Sequence, residues 1–268
     1  MPEPTNELPL HARRTEDLPG HWLLARLGKR VLRPGGRRMT EDLLTDAGLR
    51  GADVVELAPG LGKTAAEIVG RSPASYVGVE SDPAAADWTG AAVGAEGRVV
   101  VAEAQATGLD AGSADVVIGE AMLTMQTERG KKEIADEAHR VLRPGGRYAI
   151  HELALHPDTL PDETKTEIRK ALARSIKVNA RPLTEDEWRA TLDRSGFDVE
   201  VVRFAPMALL EPRRVIADEG VVRTLRFVGN VLRDGAARKR ILAMRTVFTR
   251  HKANLAAIEI VAVKRAEA

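Results

Sequence analysis

Residues Val54-Val55-Glu56-Leu57-Ala58-Pro59-Gly60-Leu61-Gly62 decide how this chain is read. An apolar run long enough for one strand meets a carboxylate, turns through two glycines and enters a segment, 62–71, whose apolar residues recur at helical spacing. Strand, tight glycine turn and helix is an arrangement that brings bare backbone and a helix N-terminus to a ligand. A phosphate-binding loop is one reading, because Gly62-Lys63-Thr64 matches its ending, but that pattern asks for glycine where Leu57 stands. A nicotinamide-dinucleotide site is a second: Gly60-x-Gly62-x-x-Ala65 is followed, about 20 residues on, by an acidic Glu80. The discriminating residue is Glu56. A carboxylate four residues before Gly60 repels a pyrophosphate and attracts an ammonium group.

Outward from this turn, strands and helices alternate, the pattern of a parallel sheet covered on both faces. Strands are expected at Ala52–Leu57, Ser75–Glu80, Arg98–Glu103, Ala114–Glu120, Gly146–Leu153, Phe197–Phe204 and Ala257–Lys264. Helices are expected at 62–71, 82–94, 127–142 and 184–195, the last opened by a Thr184/Glu187 capping box, with two more at 20–32 and 38–49. Two segments fall outside a minimal alternating sheet, 155–182 and 205–256. In the second, Val221, Leu225, Val228 and Leu232 form one helical stripe and Ile241, Met244 and Phe248 another, so two amphipathic helices are expected. An octapeptide, Arg-Val-Leu-Arg-Pro-Gly-Gly-Arg, stands at 30–37 and again at 140–147. A helix running into a Pro-Gly-Gly stop is expected at both places, and a separation of 110 residues excludes a solenoid repeat.

Composition narrows the function classes. Of 268 residues, 44% are apolar and 29% charged, the balance of a globular protein with a sizeable core. There is no cysteine, which removes disulfides, thiolate metal sites and thiol nucleophiles; no metal site is expected. No apolar run is long enough to span a membrane and the opening residues lack a secretory apolar region, so a cytoplasmic location is expected. Residues 41–140 carry 8 basic against 18 acidic side chains, whereas 201–268 carry 14 against 6. Those arginines are interleaved with apolar stripes, and with only Phe204, Phe227 and Phe248 there to stack bases, a nucleic-acid partner is disfavoured.

On these residues the chain resembles the class I S-adenosylmethionine (SAM)-dependent methyltransferases, particularly the "methyltransferase type 11" and ubiquinone/menaquinone methyltransferase group. Their first motif, acidic-x-Gly-x-Gly-x-Gly, is matched by Glu56 to Gly62 with Ala58 in place of the first glycine. Val77-Gly78-Val79-Glu80, followed by Ser81, resembles the end of strand two, whose acidic residue takes the ribose hydroxyls. Glu103-Ala104 resembles the family's Asp-Ala, with its acidic group on the adenine amine. Ser113-Ala114-Asp115-Val116-Val117 and Arg140-Val141-Leu142-Arg143-Pro144-Gly145-Gly146 resemble the signatures at strands four and five. The upstream Arg33-Pro34-Gly35-Gly36-Arg37-Arg38-Met39-Thr40 resembles an element that folds over the methionine end, with Gly35, Gly36 and Thr40 at the cofactor and the arginines available to its carboxylate.

The resemblance implies a Rossmann-like, doubly wound seven-stranded α/β sheet with its last strand antiparallel. An N-terminal helical segment, 1–50, completes the cofactor site of a methyltransferase domain at 51–268, and a helical insertion at 205–256 lies between the last two strands. It also implies methyl transfer from SAM to a small-molecule or lipid-like acceptor at O, C or N. A nicotinamide oxidoreductase and a noncatalytic SAM-binding or assembly protein stay open beside it. Glu120 and the neighbouring His151-Glu152, at strand ends facing the cofactor, are the candidates there, Glu120 and His151 for catalysis and Glu120 also for holding the cofactor. The insertion is expected to roof the acceptor pocket with Leu225, Phe227, Val228, Met244 and Phe248 over a floor of Met122 and Met125, a homodimer interface being the alternative use of its apolar surface.

Overall fold

In a computed structural model the chain is described over residues 8–266. Seven strands form one sheet: β1 Asp53–Leu57, β2 Ser75–Glu80, β3 Arg98–Val101, β4 Ala114–Glu120, β5 Leu142–Leu155, β6 Phe197–Pro206 and β7 Leu255–Lys264. Their order is β3-β2-β1-β4-β5-β7-β6. The first five strands pair in parallel, and β7 runs antiparallel to both of its neighbours. The seven-stranded sheet with an antiparallel last strand is therefore as the sequence led one to expect.

The helices are α1 Gly20–Arg26, α2 Gly36–Asp46, α3 Lys63–Val69, α4 Pro83–Val93, α5 Glu128–Val141, α6 Asp162–Ile176, α7 Glu185–Asp193, α8 Pro212–Glu219, α9 Val221–Arg233 and α10 Gly235–Arg250. Caps fix several of these boundaries. Asp82 accepts from Ala84 and Ala85 N–H with Pro83 at the first position of α4, Thr127 caps α5, and Thr184 and Glu187 form the expected box on α7.

Period-two alternation sorts the core. Val54, Val116, Ile118, Ala149 and Val261 pack under α2 and α3, whereas Val55, Val117, Tyr148, Ile150 and Ile260 pack under α5 and α7. A third apolar cluster joins α1, α6 and the α8–α10 segment through Leu23, Ile168, Leu172, Phe227, Met244 and Phe248. The segment at 205–256 differs from expectation in one respect: it holds three helices, because Pro212 starts an additional one. Its first apolar stripe is also not buried. Phe227 faces the core, while Val221, Leu225, Val228 and Leu232 are exposed.

The two copies of the octapeptide take different structures. At 140–147 helix α5 ends at Val141 and the chain enters β5, where the ladder steps from Ala114↔Leu142 to Val116↔Arg147 and Arg143–Gly146 bulge out. At 30–37 no helix is stopped. Helix α1 has already ended at Arg26, residues 29–33 have no regular structure, and Gly35 caps the start of α2. The expectation of a helix stop at both places holds for the downstream copy alone.

Candidate active site

The C-terminal ends of β1, β2 and β4 surround a cavity of about 390 Å³, of a size that suits a small-molecule ligand. At one end lie Glu56, Ala58, Gly60, Thr64, Glu80 and Glu120; at the other lie Met122, Met125, Leu153, Met207, Met244 and Phe248. Residues of the N-terminal segment, Trp22, Arg30, Arg33 and Pro34, supply a third wall.

The turn after β1 is built as its glycines suggest, with a division of labour. Gly60 has φ +61°, and a Cβ there would approach nothing closer than Ala58 O at 4.0 Å, so its bare face opens on the cavity. Gly62, φ +69°, serves packing instead: a Cβ would stand 2.7 Å from Ala92 Cβ and 2.9 Å from Thr89 Cα, so the α3–α4 contact requires its absence. Ala58, which replaces a glycine of the family motif, is held at φ +53°, a left-handed conformation costing an L-residue on the order of 1–2 kcal/mol. Ala121, immediately after β4, is held the same way at φ +54°. Both strained alanines line the cavity.

Strand register brings the carboxylates together. Glu56, next to last in β1, and Glu120, last in β4, lie on the face covered by α2 and α3, and His151 lies beside Glu120 in β5 through the pair Glu120↔His151. Glu56 is buried and accepts from the Tyr76 hydroxyl at 2.6 Å; burial, which outweighs that bond, pushes its pKa up to about 8. The Tyr76 hydroxyl lies where a Cβ on Gly78, the partner of Glu56 across the β1–β2 ladder, would stand only 3.0 Å away. Glu80 ties the glycine turn to the end of β2, accepting from Gly60 N–H at 3.0 Å and Asp82 N–H at 3.1 Å, and burial raises its pKa.

Glu120 has the opposite character. Burial alone would raise its pKa, but the Arg33 guanidinium at 3.2 Å, the His151 ring at 2.8 Å and the Thr40 hydroxyl at 2.6 Å together hold it down to about 2. Thr64, in the first turn of α3, donates to its other oxygen at 2.5 Å. A carboxylate so fully engaged stays ionised and is a poor proton acceptor.

His151 is fully buried and does not line the cavity. Its Nε2 lies 3.0 Å from the Gly35 N–H, which can only donate, so Nε2 carries the lone pair and Nδ1 carries the proton given to Glu120. The structure thus places the catalytic candidate His151 one layer behind Glu120, off the cavity wall, with its lone pair occupied.

The other expected site residues divide by place. Glu56, Ala58, Gly60, Glu80, Ser81 and Glu120 line the cavity, and Gly62 sits just behind it. Glu103 and Ala104 lie outside its wall, with Glu103 exposed. Gly35, Gly36 and Thr40 stand one layer back, Gly35 and Thr40 holding His151 and Glu120 while Gly36 packs against Arg214 and Asp218 of α8. Of the upstream arginines, Arg33 reaches the site and is 6% exposed, whereas Arg37 and Arg38 are exposed. Arg33 is among the residues that line the cavity, and its Nη1 and Nη2 are buried without a hydrogen-bond partner among the described residues.

Sequence reasoning did not single out Thr64 or Tyr76, and it named Glu152 only beside His151 in the fifth strand. Thr64 carried a signal in the Gly62-Lys63-Thr64 run that had suggested a phosphate loop. Glu152 faces away from His151 and accepts from the backbone N–H groups of Met122, Leu123 and Thr124 and from the Thr124 hydroxyl, which shapes the loop after β4. The expected floor residues Met122 and Met125 are both on the cavity wall. From the expected roof, Met244 and Phe248 are there too, while Leu225 and Val228 point to solvent.

The residues present are of the kind SAM calls for: the buried carboxylates Glu56 and Glu80, the cation of Arg33 and an open backbone face at Gly60 all line the cavity. A methyltransferase-domain family model matches residues 55–150, from β1 into β5. An uncharacterized protein of Haemophilus influenzae is 34% identical over 224 residues, covering 81% of this chain and 87% of its own. Among solved structures, phosphoethanolamine N-methyltransferase 2 of Haemonchus contortus, in complex with phosphomonomethylethanolamine and S-adenosylhomocysteine, superposes with a TM-score of 0.68 at 15% identity, over 92% of this chain and 58% of that one. Geranyl diphosphate C-methyltransferase of Streptomyces coelicolor, also with S-adenosylhomocysteine, superposes with a TM-score of 0.60 at 16% identity, over 85% and 75%. Motif, sheet order, cavity and these matches agree: the chain belongs to the class I SAM-dependent methyltransferases.

Proposed function

We propose that the protein moves a methyl group from SAM to a small-molecule or lipid-like acceptor whose bulk is apolar. The supporting observation is the continuity of the cavity, which runs from Gly60 and Glu80 to an apolar end of Met122, Met125, Met207, Met244 and Phe248. SAM supplies an electrophilic methyl group on a sulfonium, displaced in line. The chain's own contribution is alignment and the exclusion of water. In this reading Glu80 takes the ribose hydroxyls, Glu56 the ammonium, Arg33 the methionine carboxylate through Nη1 and Nη2, and Glu103 the adenine amine from the rim. The N-terminal segment 1–50, of which residues 1–7 lie outside the described residues, completes the cofactor site, and the segment 205–256 roofs the acceptor end with Met207, Met244 and Phe248.

Glu120 and His151 act as a scaffold rather than as a base. Neither is free to take a proton, which favours an acceptor that needs no strong protein base, such as a carbon nucleophile or an unprotonated amine.

Calorimetry with SAM and transfer of labelled methyl from SAM into extracted lipids or small apolar acceptors test the reading. Glu80→Ala should weaken SAM binding at least about tenfold in a folded protein, since charge-assisted hydrogen bonds are worth about 1.5–3 kcal/mol each. Unchanged affinity removes the ribose role, and SAM binding without labelled product from any acceptor favours the noncatalytic alternative. Glu56 gives a sharper readout. With a pKa of about 8 it is protonated at pH 7, and an ammonium brought beside it favours the ionised form. Calorimetry at pH 7 in buffers of different ionisation enthalpy should show close to one proton released per SAM bound, and Glu56→Gln should release none.

A further inference from the structure

Helix α9 carries two apolar faces, and the structure uses one of them. Phe227, with Thr224 and Val231 to either side, turns inward, while Val221, Leu225, Val228 and Leu232 form a second stripe along the outer side. These four side chains are 63%, 67%, 44% and 61% exposed, and Val222 beside them is 84% exposed. The stripe is thus a continuous apolar ridge on the surface, which isolated surface leucines are not.

Its surroundings are basic. Residues 212–252 contain eleven Lys and Arg against Asp218, Glu219 and Asp234. Those three acids are engaged within the fold: Asp218 and Glu219 face the buried Lys29 at 4.0 and 3.6 Å, Glu219 accepts from Arg30 and Val31 N–H, and Asp234 caps α10. Arg226 and Arg233 lie on α9 itself, to one side of the stripe, and are exposed, as are Arg223 toward the Phe227 side and Arg213, Arg238 and Lys239 on the adjoining helices.

We infer that α9 docks this protein on an anionic bilayer surface, lying in the plane of the interface with Leu225, Val228 and Leu232 inserted and the arginines on lipid headgroups. An apolar ridge edged with arginine is the chemistry of an interfacial helix. A second copy fits poorly, because a twofold contact through α9 would set two like-charged basic flanks against each other. Nucleic acid fits poorly too, since the centre of the patch is apolar and the charges are at its edge. The same 205–256 segment supplies Met207, Met244 and Phe248 to the cavity, so docking here would place the apolar end of the cavity near the source of a lipid-like acceptor. The docking does not depend on which acceptor is methylated.

Co-sedimentation of the full chain with vesicles of phosphatidylcholine alone, or with about 30 mol% phosphatidylglycerol, tests it. Binding should appear with the anionic vesicles and fall at about 0.5 M salt, where charges are screened within a few ångströms. Leu225→Glu with Leu232→Glu should abolish it, and Arg226→Gln with Arg233→Gln should weaken it by about tenfold or more. Both double variants should retain wild-type SAM affinity, which separates failure here from failure of the cofactor reading. No binding to either vesicle overturns the inference. So does sedimentation velocity showing a dimer that Leu225→Glu with Leu232→Glu converts to monomer, which assigns the ridge to a second copy.

Discussion

Arg30–Arg37 and Arg140–Arg147 are the same eight residues in two surroundings, and almost every physical property of the segment changes between them. In the upstream copy Arg33, Pro34, Gly35 and Gly36 are all buried; in the downstream copy Pro144 and Gly145 are exposed and Arg143 is partly so. Arg33 pairs with the buried Glu120 on the cavity wall, whereas Arg143 pairs with Asp53 and Asp115 at the N-terminal edge of the sheet. Even the left-handed glycine moves, from the second of the pair upstream (Gly36, φ +71°) to the first downstream (Gly145, φ +74°). Local sequence therefore specifies that the chain bends at Pro-Gly-Gly. What the bend does is set by what it meets: a helix start over the site in one case, a bulge after a helix in the other.

The largest test of this contrast is at the first arginine of each Arg-Pro-Gly-Gly. Arg33→Ala leaves a carboxylate buried without its cation and should cost about 3 kcal/mol in denaturant unfolding, together with SAM affinity. Arg143→Ala, at a pair that water reaches, should cost no more than about 1 kcal/mol and leave SAM affinity unchanged. Equal losses would show that burial of the upstream pair contributes nothing.

Next in size are the glycines. A Cβ on Gly35 would stand 2.9 Å from His151 Nε2 and from Met39 Cβ, and one on Gly36 would stand 2.8 Å from an Asp218 carboxylate oxygen. A Cβ on Gly145 meets nothing within 4 Å. Gly145→Ala should therefore cost about 1 kcal/mol, for its φ alone, while Gly35→Ala should cost more and weaken SAM binding through His151 and Glu120. Downstream the crowded glycine is Gly146, where a Cβ would lie 3.0 Å from Asp115 O, so Gly146→Ala should destabilise without touching SAM affinity.

Acid titration separates the copies a third way. Glu120, held near 2 against an ordinary value near 4.5, contributes stability that is fully present above the ordinary value and is lost as pH falls toward 2. Removing Arg33 lets the Glu120 pKa rise, so the acid-unfolding midpoint of Arg33→Ala should move to higher pH. Asp53 is also held low, but chiefly by its bond from Ser75 and only then by Arg143, so Arg143→Ala should move the midpoint less. The smallest effect is expected where the copies converge. Arg37 and Arg147 are both exposed, and Arg37→Ala and Arg147→Ala should each change stability by no more than about 0.5 kcal/mol.

Much of this protein was legible without its structure. Apolar runs of strand length located all seven strands, most plainly β1, β4 and β7, where burial on both faces leaves no alternative composition. Glu56 and Gly60 were legible because the chemistry of a strand-turn-helix site depends on residues adjacent in sequence, and Glu80 because it ends the next strand. Tertiary structure decided what depends on register and long-range burial. It set Glu120 beside His151 across two strands, delivered Thr40 and Thr64 from two helices onto one carboxylate, and fixed the His151 tautomer through a single N–H of Gly35. It also left the stripe of α9 exposed. Helical periodicity reports that a helix has an apolar face; only the packing of Phe227 shows which way the helix turns. The octapeptide shows the same limit: eight identical residues carry the propensity to bend, and the direction and consequence of the bend belong to the surroundings that bury them.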